Sequence, residues 1–186
     1  MEQPKPGDLW MDEPREERLV LAAQRGDRQA IRALAAHYQR HVYRLAFALT
    51  RDREEAADLA FDAFGRAWSG IKGIPSGKRF FPWVLRIARN LSVAQARRRG
   101  GGGAVPAAAE AGPRGETAVA DQRMLDALRE LRPDEQMALA LRVVERLPYE
   151  EIAGLLDHSV GTTLARLSTA RGLLLERAGV DEGADG

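Results

Sequence analysis

From Gly100 to Thr117 the chain reads GGGGAVPAAAEAGPRGET, a run of Gly, Ala and Pro with few side chains large enough to build a core. Such a segment cannot bury enough apolar surface to offset the entropy of ordering it, so it reads as a flexible linker over residues 100–118. The 186 residues are thereby divided into two pieces of small-domain size. A coil of roughly 20 residues has an r.m.s. span of about 25 Å and reaches at most about 70 Å. Variable geometry between the two pieces is therefore expected.

Both pieces read as helical. Strand-like alternation is absent, and Ala, Leu, Arg and Glu dominate. After an acidic, proline-bearing tail at residues 1–15, expected to be disordered, a short helix runs from Glu16 to Arg25 and is stopped by Gly26. Asp27 caps a long helix through Thr50, with Leu34, Tyr38, Val42, Leu45 and Leu49 at helical spacing. Asp52 and Glu55 give the D-x-x-E start of a third, ending near Ser69. The loop GIKGIPSG leads to a fourth, from about Arg79 to Arg98, with Pro82 in the first turn where no amide bond is lost. The first domain thus spans residues 16–99. In the second, residues 119–178, helices are expected over Val119–Leu131, Asp134–Glu145, Tyr149–Leu156 and Val160–Arg177, followed by a tail at 179–186. Tyr149–Leu156, a turn at Asp157-His158-Ser159, and a helix capped by Ser159 fit a helix-turn-helix. The fold class is all-α: two small helical domains on a flexible linker, the second a helix-turn-helix.

Charge is distributed unevenly. The net charge is +1, yet residues 63–109 hold nine basic and no acidic side chains, while residues 121–186 hold eight basic and 13 acidic. Local fields rather than totals attract polyanions. With no cysteine, neither a disulfide nor a thiolate metal site is possible. No apolar run approaches a membrane span, and the N-terminus lacks a signal peptide's apolar core, so a cytoplasmic protein without membrane insertion is the default.

Within KRFFPWVLRIARNLSVAQARRR, Trp83, Arg86, Asn90 and Arg97 fall on one helical arc of roughly 60°. Guanidinium groups pair with phosphate oxygens and an exposed aromatic stacks on an unpaired base. Lys78, Arg79, Phe80 and Arg98 flank that face as further candidates for nucleic-acid contact. Phe64 and Trp68 read as core. Upstream, Asp58 and Asp62 share a face at i, i+4 and suit a basic protein partner. In the last helix Val160, Thr163, Leu167, Ala170 and Leu174 form an inward stripe, with Thr162, Arg166 and Thr169 pointing outward. His37 and His41 have metal-ligand spacing but no evident third ligand, so no metal or other cofactor is expected. No nucleophile-base set, phosphate loop or paired catalytic acids stand out, so the chain does not read as an enzyme.

In order, these segments resemble an extracytoplasmic-function sigma factor, a promoter-recognition subunit of bacterial RNA polymerase. AAQRGDRQAIRALAAHYQRHVYRLAFALTRDREEAADLAFDAFGRAW resembles the first parts of that family's second region. The F-x-x-W-x-x-x-I-A-R-N pattern at Phe80, Trp83, Ile87, Ala88, Arg89 and Asn90 resembles its promoter-melting part, and LRPDEQMALALRVVERLPYEEIAGLLDHSVGTTLARLSTAR its fourth region. The resemblance implies that the third helix, through Asp58, Phe61 and Asp62, docks on core RNA polymerase. It implies that the basic helix captures the unwound minus-ten element of promoter DNA. It also implies that Ser159, Thr162, Thr163, Arg166 and Arg171 of the terminal helix-turn-helix meet the minus-thirty-five element, and that an anti-sigma factor is a partner. Phe61 stands where the family usually has Gln, Ala94 where an Asp is frequent, and Leu164, Ala165 and Thr169 replace the usual Lys, Ser and Arg. Two alternatives remain open at this point: a sigma-like regulator whose fourth region binds a protein, favoured by Leu164, and a stand-alone helix-turn-helix regulator.

Overall fold

A computed structural model describes residues 9–75, 79–98, 123–128 and 130–178; residues 1–8, the linker and residues 179–186 lie outside the described residues. Among these residues there is no strand. Four helices make the first unit: α1 (Glu13–Gln24), α2 (Arg28–Thr50), α3 (Arg53–Ser69) and α4 (Phe80–Arg98), with a 3-10 turn at Ile71–Gly73. The second contains α5 (residues 123–128), α6 (Pro133–Val143), α7 (Tyr149–Leu156) and α8 (Val160–Ala178).

Local chemistry sets the boundaries. The Asp27 carboxylate accepts from the amides of Gln29 (2.8 Å) and Ala30 (3.3 Å), which starts α2. Asp52 accepts from Glu55 N at 2.9 Å and starts α3. Gly26 adopts φ +91°, a conformation that a side chain would strain, and so lets α1 turn into α2. α7 ends at Asp157 in the left-handed region, which Asp tolerates better than most residues, and Ser159 Oγ then accepts from Thr162 N at 3.0 Å to open α8.

The first core is built on Leu34, Tyr38, Leu45, Leu59, Phe80, Phe81 and Leu85, each at most 2% exposed. Its aromatics interlock: Trp68 stacks on Phe80 at 4.8 Å and Tyr38 on Phe81 at 5.3 Å. Met137, Leu141, Leu147 and Ile152 of the second unit belong to the same buried cluster.

One expectation is corrected, and the two units are seen in contact. Residues 9–15 are not a disordered tail. Leu9 and Met11 are buried, α1 already begins at Glu13, and the indole N–H of Trp10 donates to Glu151 at 2.5 Å. An apolar Leu-Trp-Met triplet beside an acidic stretch has enough surface to anchor the chain. The two units also do not stand apart here. α2 and α4 pack on α6 and α7. His41 Nδ1 lies 2.7 Å from buried Glu145, the Arg44 guanidinium donates to Val144 O at 2.6 Å, and Arg89 pairs with Asp134.

Candidate nucleic-acid interface

The basic helix α4 is anchored from outside itself. Glu16 on α1, only 1% exposed, accepts from Phe80 N at 2.9 Å with one oxygen and from Arg79 Nε at 2.7 Å with the other. A carboxylate at the positive end of a helix satisfies an orphan amide and opposes the macrodipole. Burial, followed by the neighbouring Glu16 carboxylate, pushes the Tyr38 phenol well above its ordinary range, so it stays neutral in this core. The same Arg79 also donates to Met11 O and lies 4.5 Å from the Trp10 ring centre.

One turn on, Trp83 lies partly buried against the 3-10 turn. A Cβ on Gly70 would sit in ordinary contact with its ring at 3.5 Å and tightly against Arg66 O at 3.3 Å. The Arg86 guanidinium covers the indole at 5.0 Å, and both Arg86 and Asn90 are exposed. Trp83 and Arg86 line a cleft of about 710 Å³, together with Ile74, Arg89 and the α7 residues Gly154 and Leu155. On α3, Asp58, Phe61 and Asp62 are all exposed, with Phe61 at 79%.

In α8, Thr162 is exposed and Arg166 is turned inward. Its Nη1 donates to Asp134 and lies 3.0 Å from His158 Nε2, which must accept because guanidinium cannot. Arg89 pairs with the other oxygen of the same Asp134 carboxylate. Burial favours protonation of Asp134, but the Arg89 and Arg166 guanidiniums outweigh it and hold the carboxyl below its ordinary value. Burial and then Arg166 hold the His158 imidazole below its own.

Comparison with known proteins gives the family. The sigma-70 region 2 family model matches residues 34–101 and the sigma-70 region 4 family model matches residues 121–174. The RNA polymerase sigma-H factor of Pseudomonas aeruginosa is 30% identical over 179 residues, covering 87% of this chain and 92% of that protein. The chain is an extracytoplasmic-function sigma factor of the sigma-70 family. The sigma-E factor of Escherichia coli K12, itself an extracytoplasmic-function protein, is 30% identical over 82% of this chain and 88% of its own. Among solved structures, sigma factor RpoE in complex with the anti-sigma factor NepR from Bartonella quintana is 25% identical. It has a TM-score of 0.61 and covers 81% of this chain and 98% of its own. CnrH, solved with the cytosolic domain of CnrY, shares the fold at 20% identity and a TM-score of 0.66, covering 90% of this chain and 99% of its own. This sigma factor directs RNA polymerase to promoters in transcription initiation, and no described helix is long and apolar enough to cross a membrane.

The sites anticipated in this sigma factor separate into three groups. Trp83, Arg86 and Asn90 share one face of α4 as the spacing predicts, and Arg98 is exposed near its end. Phe80 and Thr163 are fully buried and have no surface to offer DNA. Phe80 is needed in the aromatic core, and the Thr163 hydroxyl donates to Ser159 O at 3.1 Å. Arg79 is occupied inward. Lys78 and the side chain of Arg97 lie outside the described residues. Ser159 serves as the helix cap, and Arg171 is exposed with contacts of its own. Two residues went unnoticed in the sequence, Glu16 and Asp134. Both are acids in or near a first helical turn, where the helix dipole accounts for them without any distant partner.

Proposed function

We propose that this sigma factor melts promoters by holding unpaired minus-ten bases on the Trp83–Arg86–Asn90 face of α4, after docking on core polymerase through Asp58, Phe61 and Asp62. The observation that carries the reading is the indole covered by an exposed guanidinium beside an exposed amide, on a helix whose orientation Glu16 fixes. An unpaired base stacks on such a platform while its phosphate meets the arginine. In this reading Thr162 and Arg166 of α8 read the minus-thirty-five element, with Arg171 as a further contact. The protein works in the cytoplasm without catalysis of its own, and an anti-sigma factor restrains it, as NepR and CnrY accompany the related structures.

The test is transcription with purified core enzyme on two templates, one fully duplex and one carrying a mismatched bubble at the minus-ten position. Trp83→Ala loses initiation on the duplex and regains most of it on the bubble if the face traps melted bases. Equal loss on both templates, or none on either, removes Trp83 from melting.

A further inference from the structure

Asp134 occupies a place that neither promoter contact nor polymerase docking explains. It stands in the first turn of α6, and its two carboxylate oxygens are divided between the two DNA-facing units. Oδ1 takes Arg89 from the basic helix and Oδ2 takes Arg166 from the recognition helix. The three side chains are 20–34% exposed, so the cluster lies at the seam and is partly shielded from screening by water. His158 completes it as an acceptor for the same Arg166 nitrogen. With Arg89 and Arg166 meeting at one carboxylate, the units cannot at the same time reach DNA elements about two duplex turns, or roughly 70 Å, apart. Trp83 meanwhile faces α7 residues Gly154 and Leu155 across the cleft, while Arg86 and Asn90 stay exposed. Asp58, Phe61 and Asp62 on α3 also face outward.

From this geometry we infer that Asp134 is an intramolecular latch. It neutralises one arginine from each DNA-binding unit and holds the free protein shut, with the two units fixed too close together to span their promoter elements. Promoter phosphates compete with the latch because each can pair a guanidinium with two oxygens, where Asp134 gives each arginine only one. Trp10–Glu151 and His41–Glu145 brace the seam on either side, but neither involves an arginine from a DNA-facing helix. The inference deepens the promoter-reading proposal above and rests on it only for the meaning of opening, not for the opening itself.

The test is single-molecule distance measurement on the free full-length chain. The sequence has no cysteine, so Ala36→Cys and Gly172→Cys give a clean dye pair; both positions are exposed, and a Cβ at Gly172 meets nothing within 4 Å. Asp134→Asn, nearly isosteric, lowers the closed-to-open ratio by roughly tenfold or more, since it removes the charge that holds the Arg89 ion pair and the Arg166 hydrogen bond. Arg89→Gln, which leaves α6 and α8 intact, opens the chain as well, and combining the two variants adds little. Glu150→Gln, the same charge change on exposed α7, leaves the closed population in place. Non-specific duplex DNA provides the second readout. Asp134→Asn steepens the slope of log affinity against log salt by up to about two units through release of two arginines, while Glu150→Gln does not. An unchanged distance distribution in Asp134→Asn overturns the latch. So does full additivity with Arg89→Gln, or equal opening by Glu150→Gln. Because the distance measurement involves no promoter, a failed latch is distinguishable from a failed reading of Arg166 in transcription.

Discussion

Replacing Glu16 by alanine strips the anchor of α4, and its cost can be built from the contacts. The Phe80 amide is buried, and without its acceptor at 2.9 Å it finds no water; an orphaned buried donor costs about 1–3 kcal/mol. Arg79 loses its 2.7 Å partner but is 27% exposed, so water recovers part of the interaction and about 1 kcal/mol remains. Deleting the buried methylenes of a side chain that is 1% exposed adds about 1 kcal/mol through the void left behind. The sum is about 3–5 kcal/mol, a fall in melting temperature of about 10 °C for a chain of this size. Glu16→Gln keeps the volume and one acceptor, so about half of that loss is expected. Circular-dichroism melts of both variants provide the assay, with transcription on a pre-opened bubble template to follow the Trp83 face. A Glu16→Ala protein within about 1 kcal/mol of the parent would refute the reasoning, because the cap would then be redundant.

Phe61→Ala should change stability by less than about 0.5 kcal/mol, since the side chain is 79% exposed, while weakening association with core polymerase in a binding titration. Leu164, 43% exposed on α8, is apolar where a lysine would meet phosphate; Leu164→Lys should strengthen duplex binding and steepen its salt slope by roughly one unit. Acid should open the seam in two stages. His158 sits below its ordinary 6.5, so the opened state takes up the proton first and closure weakens as pH falls through the mildly acid range. Asp134 sits below its ordinary 3.8, so its share of closure is present above that value and lost only at lower pH. The Ala36→Cys/Gly172→Cys dye pair reports both stages, and His158→Gln should remove the first; His41–Glu145, Arg89, Arg166 and Asp157 face the same seam and remain in that variant.

Local chemistry carried most of the fold into view. Asp27, Asp52 and Ser159 act on amides two or three residues away, so the starts of α2, α3 and α8 were legible from spacing alone. α7 runs from Tyr149 to Leu156 as its flanking proline and Asp157 imply. The face formed by Trp83, Arg86 and Asn90 followed from helical periodicity in the same way. What stayed hidden acts over long separations. The Glu16–Phe80 contact spans 64 residues and His41–Glu145 spans 104. No periodicity links such partners, and a histidine pair at i, i+4 gives no hint that His41 turns to Glu145 while His37 lies 3.2 Å from Leu9 O. Burial of Phe80 was equally illegible, because two adjacent phenylalanines before a basic face suit a core and a ligand alike.

The three tryptophans occupy three different stations of the molecule. Trp68, partly buried, is stacked on Phe80 against the first core, Trp83 lies under Arg86 on α4, and the Trp10 indole is hydrogen-bonded to Glu151 of the opposite unit. Each is an intrinsic fluorophore with its own surroundings. Separation of the units hydrates Trp10 and shifts its emission to longer wavelength, capture of a base quenches Trp83, and Trp68 changes only when the core itself comes apart. Unlabelled protein, with two tryptophans replaced by phenylalanine at a time, therefore carries separate optical signals for opening, strand capture and unfolding.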